Sequence, residues 1–292
     1  MTQIIGSLEE TAPGYRALFC DLWGCLHDGR RAYPAAVAAL ERFRARGGVV
    51  VLLTNSPRPA ANVAAQIAAM GASRDCYDLI VSSGDAAQMA MAGGRFGRRV
   101  HHIGPDRDRP FFFDETGRPY DVELVGLEEA EGIVCTGLFD DQTETPEDYR
   151  ATILYGVTKG LPLLCANPDV IVDVGDQRIY CAGAIAEAYA AAGGESFYFG
   201  KPHPPIYTLA RAKLARAVGE EVPAEDILCI GDGIATDILG AMGENIDSIF
   251  VTGGLAAEET GTTPDRGPDP GRLAVFLAEA RLSSLYAMSF LR

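Results

Sequence analysis

The sequence predicts an α/β protein: a doubly wound, parallel-sheet, Rossmann-like core with a smaller α/β unit inserted into it. Three observations carry this. Short apolar runs ending in Asp, Thr, Asn or Gly lead repeatedly into Ala-rich stretches of helical spacing, the pattern of parallel βαβ units. The chain, at 292 residues, is about twice the length of a usual domain. The stretch between two such runs, 55–200, is several times longer than the roughly 30 residues of one βαβ repeat.

In chain order, the first core strand is expected at 16–20, where Arg16-Ala17-Leu18-Phe19-Cys20 stops at Asp21. A helix follows at 35–46, with apolar positions set between Arg and Glu at helical spacing and Pro34 where its missing N–H is tolerated. Gly48-Val49-Val50-Val51-Leu52-Leu53 before Thr54 is the second strand. The inserted segment has strand patterns of its own at 99–103, 132–135 and 163–165, and a helical stretch at 147–158. These place the smaller unit at 90–177 and the core at 1–89 and 178–292. A helix at 205–218 opens after Pro204 and presents Ala210, Leu214 and Val218 on one face. Strands are expected at 226–230, before Gly231-Asp232, and at 248–251, before Thr252-Gly253-Gly254. Residues 260–271, rich in Pro and Gly, read as an acidic surface loop before a last helix at 272–281.

Composition narrows the function. With 48% hydrophobic and 22% charged residues the chain can bury a large core. Its formal net charge of −15 repels phosphate backbones and anionic headgroups, so neither nucleic acid nor a membrane surface is an expected partner. The densest apolar run, Val49 to Leu53, falls far short of the about 20 residues of a membrane helix. Glu9 and Glu10 stand where a secretory signal would carry a basic and then an apolar segment, so a cytoplasmic location is the default expectation. Seven cysteines without a C-x-x-C pair suit reduced core thiols, and a metal pair of Cys20 with Cys25 is the less favoured alternative.

In an open parallel sheet, the polar residues that end consecutive core strands converge on one crevice beyond the carboxyl edge. Here these are Asp21, Thr54 and Asp232, joined by Lys201 from a loop entering a helix. Any one of them alone reads as a turn, cap or solvated residue. Together, two carboxylates, a hydroxyl and an ammonium suit Mg²⁺ and a phosphoryl group, because Mg²⁺ takes hard oxygen ligands and leaves part of its shell to substrate phosphate. A P-loop is excluded, since Pro202 follows Gly200-Lys201 and Glu195 occupies the position of its first glycine. The patterns G-x-S-x-G, H-E-x-x-H and G-x-G-x-x-G are also missing from the sequence.

Four short motifs in order carry a resemblance to the haloacid dehalogenase superfamily over essentially the whole chain. They are Asp21-Leu22-Trp23-Gly24-Cys25-Leu26, Leu53-Thr54-Asn55, Gly200-Lys201-Pro202 and Gly231-Asp232-Gly233-Ile234-Ala235-Thr236-Asp237. The insert lies where the superfamily carries its type-two cap. Cys165-Ala166-Asn167-Pro168-Asp169 and the opening His27 through Pro34 resemble the NagD-like phosphatase branch. The resemblance implies that Asp21 is the nucleophile. It implies that Asp21, the Trp23 carbonyl and Asp232 hold Mg²⁺, with Asp237 steadying the metal shell. Thr54 would bind phosphate oxygen, Asn55 would support that loop, and Lys201 would pair with nucleophile and phosphate.

One position departs from the pattern. Phosphatases of the superfamily carry a second Asp two residues after the nucleophile as general acid and base, and this chain has Trp23 there. Indole N–H does not titrate usefully, and losing such a group typically costs about 10²–10⁴-fold. His27 and Asp28 are the nearby substitutes, neither compelling, and Cys25 reads as a core residue. Dehalogenases of the superfamily lack the second Asp too but work without Mg²⁺, so Asp232 and Asp237 argue against that chemistry. The expected activity is therefore Mg²⁺-dependent hydrolysis of a small phosphorylated metabolite through an aspartyl phosphate. Two alternatives stay open: a catalytically impaired phosphate-ligand binder or regulatory protein, and phosphoryl transfer to an acceptor other than water. Asp140, Asp141 and Asp169 are candidate substrate contacts in the insert, where solvated loop positions are the commoner outcome, and a homo-oligomer is open.

Overall fold

The computed structural model describes residues 2–174 and 177–292. The chain forms two compact units, one of Met1–Thr54, Ala64–Val81 and Tyr207–Arg292, the other of Asn55–Val63 and Ser82–Ile206.

The first unit holds a seven-stranded sheet in the order Gln3–Ile4, Tyr286–Met288, Asp247–Val251, Ile227–Gly231, Ala17–Cys20, Val49–Thr54 and Leu79–Ser82. From Gln3–Ile4 across to Val49–Thr54 every pairing is parallel. Ala17–Cys20 and Ile227–Gly231 are buried along their whole length, as expected of strands covered on both faces. Helix Pro34–Ala45 begins with its proline in the first turn and buries Ala36, Ala39, Leu40 and Phe43, a stripe at helical spacing. Apart from the edge strand Gln3–Ile4, chain order runs outward in both directions from the neighbouring strands Ala17–Cys20 and Ile227–Gly231, which makes that pair the topological switch point.

The second unit has its own parallel sheet, ordered Ser196–Tyr198, Leu163–Cys165, Gly132–Cys135, Arg99–Ile103 and Glu123–Leu124. Ile171–Val174 pairs antiparallel with Gln177–Tyr180. Helices Arg150–Lys159 and Ala182–Ala191 supply Ile153, Ile185 and Tyr189 to a core with Ile133 and Leu163. The expected insert, 90–177, lies inside this unit, but the unit runs wider at both ends. Residues 178–200, expected to return to the core, instead add a helix and a strand to the second sheet, the strand pairing with Leu163–Cys165. An Ala-rich helix followed by a short aromatic strand has the same pattern in either sheet, so composition could not assign it. The last helix begins at Pro270, earlier than expected, because Asp269 caps it by accepting from the Gly271 and Arg272 N–H groups. Among the described residues no helix is long and apolar enough to cross a membrane.

Candidate active site

Asp21 and Asp232 leave the two strands of the switch point. Cys20 is level with Ile230 in the parallel pairing, and the Asp21 N–H donates to Ile230 O at 2.8 Å. Asp21 is 7% and Asp232 6% exposed. An oxygen of each and the Cys25 sulfur lie within 4.8 Å of one another. Thr54, also buried, ends the strand on the other side of Ala17–Cys20.

Backbone packing fixes Asp232. The Leu255 N–H donates to its Oδ2 at 3.1 Å. A Cβ on Gly254 would stand 1.9 Å from that oxygen, and one on Gly24, whose φ is +74°, would stand 2.1 Å from it. Only glycine gives both the close approach and, at Gly24, the left-handed turn. Behind the Gly254 loop a buried hydroxyl chain ties the backbone: Thr262 Oγ1 donates to Thr252 Oγ1 at 2.8 Å and lies 2.9 Å from Thr260 Oγ1. The Thr252-Gly253-Gly254 strand end was visible in the sequence, but its role in seating Asp232 was not. Asp237 sits in a π-helical turn, Ile234–Ile238, and its Oδ2 accepts from the Gly233 N–H at 3.1 Å, bracing the segment that carries Asp232.

Trp23 is half-buried and meets His27 edge-on, with ring centroids 5.4 Å apart. Gly29, at φ +84°, lets the indole lie against the backbone, since a Cβ there would be 2.5 Å from the ring. Neither nearby substitute for the missing Asp is suited to the role. Burial pushes the His27 imidazole down to about 4, and its Nδ1 already accepts from the Gly29 N–H at 3.0 Å. At neutral pH it is therefore uncharged with its proton on Nε2. Asp28 accepts from the Arg30 and Arg31 N–H groups, which hold its carboxyl below the usual range and commit it to the turn. Cys25 is core, as its surroundings in sequence suggested, and burial first, then the Asp232 and Asp21 charges, raise its thiol well above the usual value.

Asn55 and Lys201 belong to the second unit. Asn55 Oδ1 accepts from the Lys201 N–H at 2.7 Å, and its Nδ2 donates to Lys201 O at 3.0 Å and to Asp169 Oδ1 at 2.8 Å. Asp169, a candidate substrate contact for which a solvated loop position was the commoner expectation, accepts from Asn55. Asp141 pairs with Arg107, and Asp140 accepts from the Gln142 N–H and Thr143 hydroxyl inside its own turn.

The donor set fits a hard cation. Two buried carboxylates at this spacing match Mg²⁺, whereas a protonated thiol does not.

Comparison with known proteins agrees with this geometry. Residues 18–115 match the family described as haloacid dehalogenase-like hydrolase, and 198–274 one described as HAD-hydrolase-like. A solved hydrolase of the haloacid dehalogenase-like family from Brucella suis 1330 is 38% identical, with a TM-score of 0.86 over 99% of this chain and 100% of that one. The ribonucleotide monophosphatase NagD of Escherichia coli (strain K12) is 24% identical over 82% of this chain and 88% of its own. A glycerol phosphate phosphatase of Mycobacterium tuberculosis, solved in complex with magnesium, is 25% identical, with a TM-score of 0.65 over 92% of this chain and 76% of that one.

Proposed function

The chain belongs to the haloacid dehalogenase-like hydrolases, in their NagD-like branch, and from that premise we propose that it is a Mg²⁺-dependent phosphatase of small organic phosphate esters. The observation that carries the proposal is the pair Asp21 and Asp232, buried together at the switch point of a parallel sheet. The named activities of the relatives support the same reaction class.

In this reading an Asp21 carboxylate oxygen attacks phosphorus, the bond to the leaving alkoxide breaks, and the phosphoryl group stays on Asp21 until water releases it as phosphate. Thr54 binds a phosphoryl oxygen, and Lys201, its backbone clamped by Asn55, offsets the charge gathered when two anions meet. Mg²⁺, held by Asp21, Asp232 and the Trp23 carbonyl with Asp237 bracing them, would supply the largest share of that charge compensation. Near neutral pH the N–H protons of the Trp23 indole and the neutral His27 imidazole are far too weakly acidic to be given to the alkoxide, and the Asp28 carboxyl has already lost its proton. The decisive experiment is phosphate release from a set of small esters with and without Mg²⁺, with Asp21→Asn as the blank. Mg²⁺-dependent release that vanishes in the variant is expected, and equal release by both proteins overturns the assignment.

Trp23 favours a second reading, a phosphate-ligand binder that kept the fold and metal site. Mg²⁺-dependent binding of esters by wild type without turnover would select it.

A further inference from the structure

Two loops of the first unit meet on a single oxygen. Gly24 and Gly254 approach Asp232 Oδ2 so closely that a Cβ would stand 2.1 Å from it on the first and 1.9 Å on the second. Each glycine has a large apolar neighbour. Trp23, before Gly24, is half-buried, and Leu255, after Gly254, is 57% exposed while its own N–H donates to that same oxygen at 3.1 Å. Both side chains therefore leave the backbone beside the buried Asp21 and Asp232 pair.

Neither is a loose surface residue. The indole is seated on Gly29 and against His27, and the Gly24 N–H next to it donates to His27 O at 2.9 Å. On the other side the Ala257 N–H closes a turn on Gly254 O at 3.2 Å, and the buried Thr260 hydroxyl holds Ala256 O at 2.7 Å. One exposed leucine needs no explanation, but two fixed apolar groups flanking a carboxylate pair make a rim for the site.

Two independent features point to the same occupant of that rim. The Asp21 loop has no acid for a departing oxygen, so the leaving group must carry off the P–O electron pair as a stable anion: a phenolate, a carboxylate or an enolate. A charged or hydroxyl-rich body would give up water against indole and leucine carbon for little return, whereas a flat ring gains by covering both and can meet the indole offset or edge-on. Of the three anions, a phenolate satisfies both demands.

We propose that Trp23 and Leu255 hold the leaving group of the substrate, and that this group is an aromatic ring joined to phosphate through a phenolic oxygen. The step rests on the phosphatase reading and narrows it to aryl phosphates. In turnover the phosphoryl group passes to an Asp21 oxygen, the bond from phosphorus to the phenolic oxygen breaks with its electron pair on that oxygen, and the phenolate takes its proton from water.

Trp23 is the single tryptophan of the chain, so its emission reports on a ring beside it without any turnover. Wild type, Leu255→Ser and Leu255→Met are titrated in Mg²⁺ with phenylphosphonate and methylphosphonate, which contain no ester to hydrolyse. Beside this, kcat/KM is measured for 2-naphthyl and phenyl phosphate, whose leaving groups are of similar acidity. Phenylphosphonate should bind wild type about tenfold more tightly than methylphosphonate and should be the one that shifts the emission. Leu255→Ser should lose most of that preference and most of the naphthyl-to-phenyl advantage, and Leu255→Met should keep both. Equal binding of the two phosphonates by wild type, or a preference unchanged in Leu255→Ser, overturns the rim. If both esters are hydrolysed without that preference, the rim falls and the phosphatase reading stands. If no ester is hydrolysed but the preference is present and lost in Leu255→Ser, the phosphatase reading falls and the ring site stands in a phosphate-ligand binder. Neither hydrolysis nor phosphonate binding overturns both.

Discussion

Asn55 grips the backbone of Lys201 from both sides, accepting its N–H at 2.7 Å and donating to its carbonyl at 3.0 Å, much as a neighbouring strand would. Only a side-chain amide offers donor and acceptor at that spacing, and its remaining N–H is taken by Asp169 Oδ1 at 2.8 Å. Asn55→Asp should therefore be worse than its small change in shape suggests. It removes both donations and sets a carboxylate against Asp169 and a carbonyl. A loss of about 2–3 kcal/mol in urea unfolding is expected, with at least a tenfold fall in kcat/KM. Wild-type stability and turnover in this variant would show that the clamp does not set Lys201.

Gly254 makes a separable test of the metal site. Alanine there would push on Asp232 Oδ2 from 1.9 Å while touching no proposed ligand to phosphate. Mg²⁺ affinity measured by calorimetry should fall about tenfold or more, with a smaller change in melting temperature, and Asp232→Asn should fall at least as far. Equal Mg²⁺ binding by wild type and both variants would remove Asp232 from the metal site.

Cys25 predicts how soft metals act. Its sulfur shares the 4.8 Å cluster with Asp21 and Asp232, and its raised thiol suits Mg²⁺ poorly while remaining available to a thiophilic ion that displaces the proton. Micromolar Zn²⁺ or Cd²⁺ should inhibit against millimolar Mg²⁺, and Cys25→Val should blunt that inhibition. Inhibition curves that superimpose for the two proteins would count against a thiol contact.

Stability should depend on two histidines in acid. Burial holds both His27 and His102 down at about 4, against 6.5 for an unperturbed imidazole. Between these values the unfolded chain binds protons that the folded chain refuses, so stability is full above pH 6.5 and drains as pH falls towards 4. Each ring contributes at most about 3 kcal/mol, and His102, only partly buried, less than that. The urea midpoint of wild type should fall relative to that of His102→Gln as pH drops from 7 towards 4, and parallel profiles would show that His102 is not held neutral.

Much of the first unit was legible because each long strand stops at a chemically marked residue. Ala17–Cys20 before Asp21, Val49–Thr54 and Ile227–Gly231 before Asp232 lie where the pattern put them. The strands Gln3–Ile4, Leu79–Ser82 and Tyr286–Met288 were not read, since none of them runs into an Asp, Thr, Asn or Gly that marks its end. Asp169 could be singled out as polar but not assigned, because its partner Asn55 is distant in sequence. Asp108 left no mark, and Gly254 showed only as part of a strand end, for the same reason: what distinguishes them is a neighbour's atom, an arginine in one case and a carboxylate in the other.

Trp23 governs the last prediction, on leaving groups. A carboxyl at its position would protonate the departing oxygen and then activate water, and the indole, lying on Gly29 against His27, does neither. His27 is neutral with Nδ1 occupied, and Asp28 is ionised and tied into its turn, so no neighbour in this loop restores the missing step. Esters whose leaving group needs no proton, such as p-nitrophenyl phosphate or an acyl phosphate, should turn over far better than alkyl phosphates. Slow attack by unactivated water should let phosphate build up on Asp21, giving a burst of the first product or a trappable phosphoenzyme. Trp23→Asp should raise turnover of an alkyl phosphate by up to about 10²-fold, provided the space the ring leaves does not disorder the loop. Trp23→Phe keeps the bulk without the carboxyl and should give no gain, which separates proton transfer from packing. Rapid alkyl phosphate turnover by wild type, unchanged in Trp23→Asp, would place the proton donor outside the Asp21 loop.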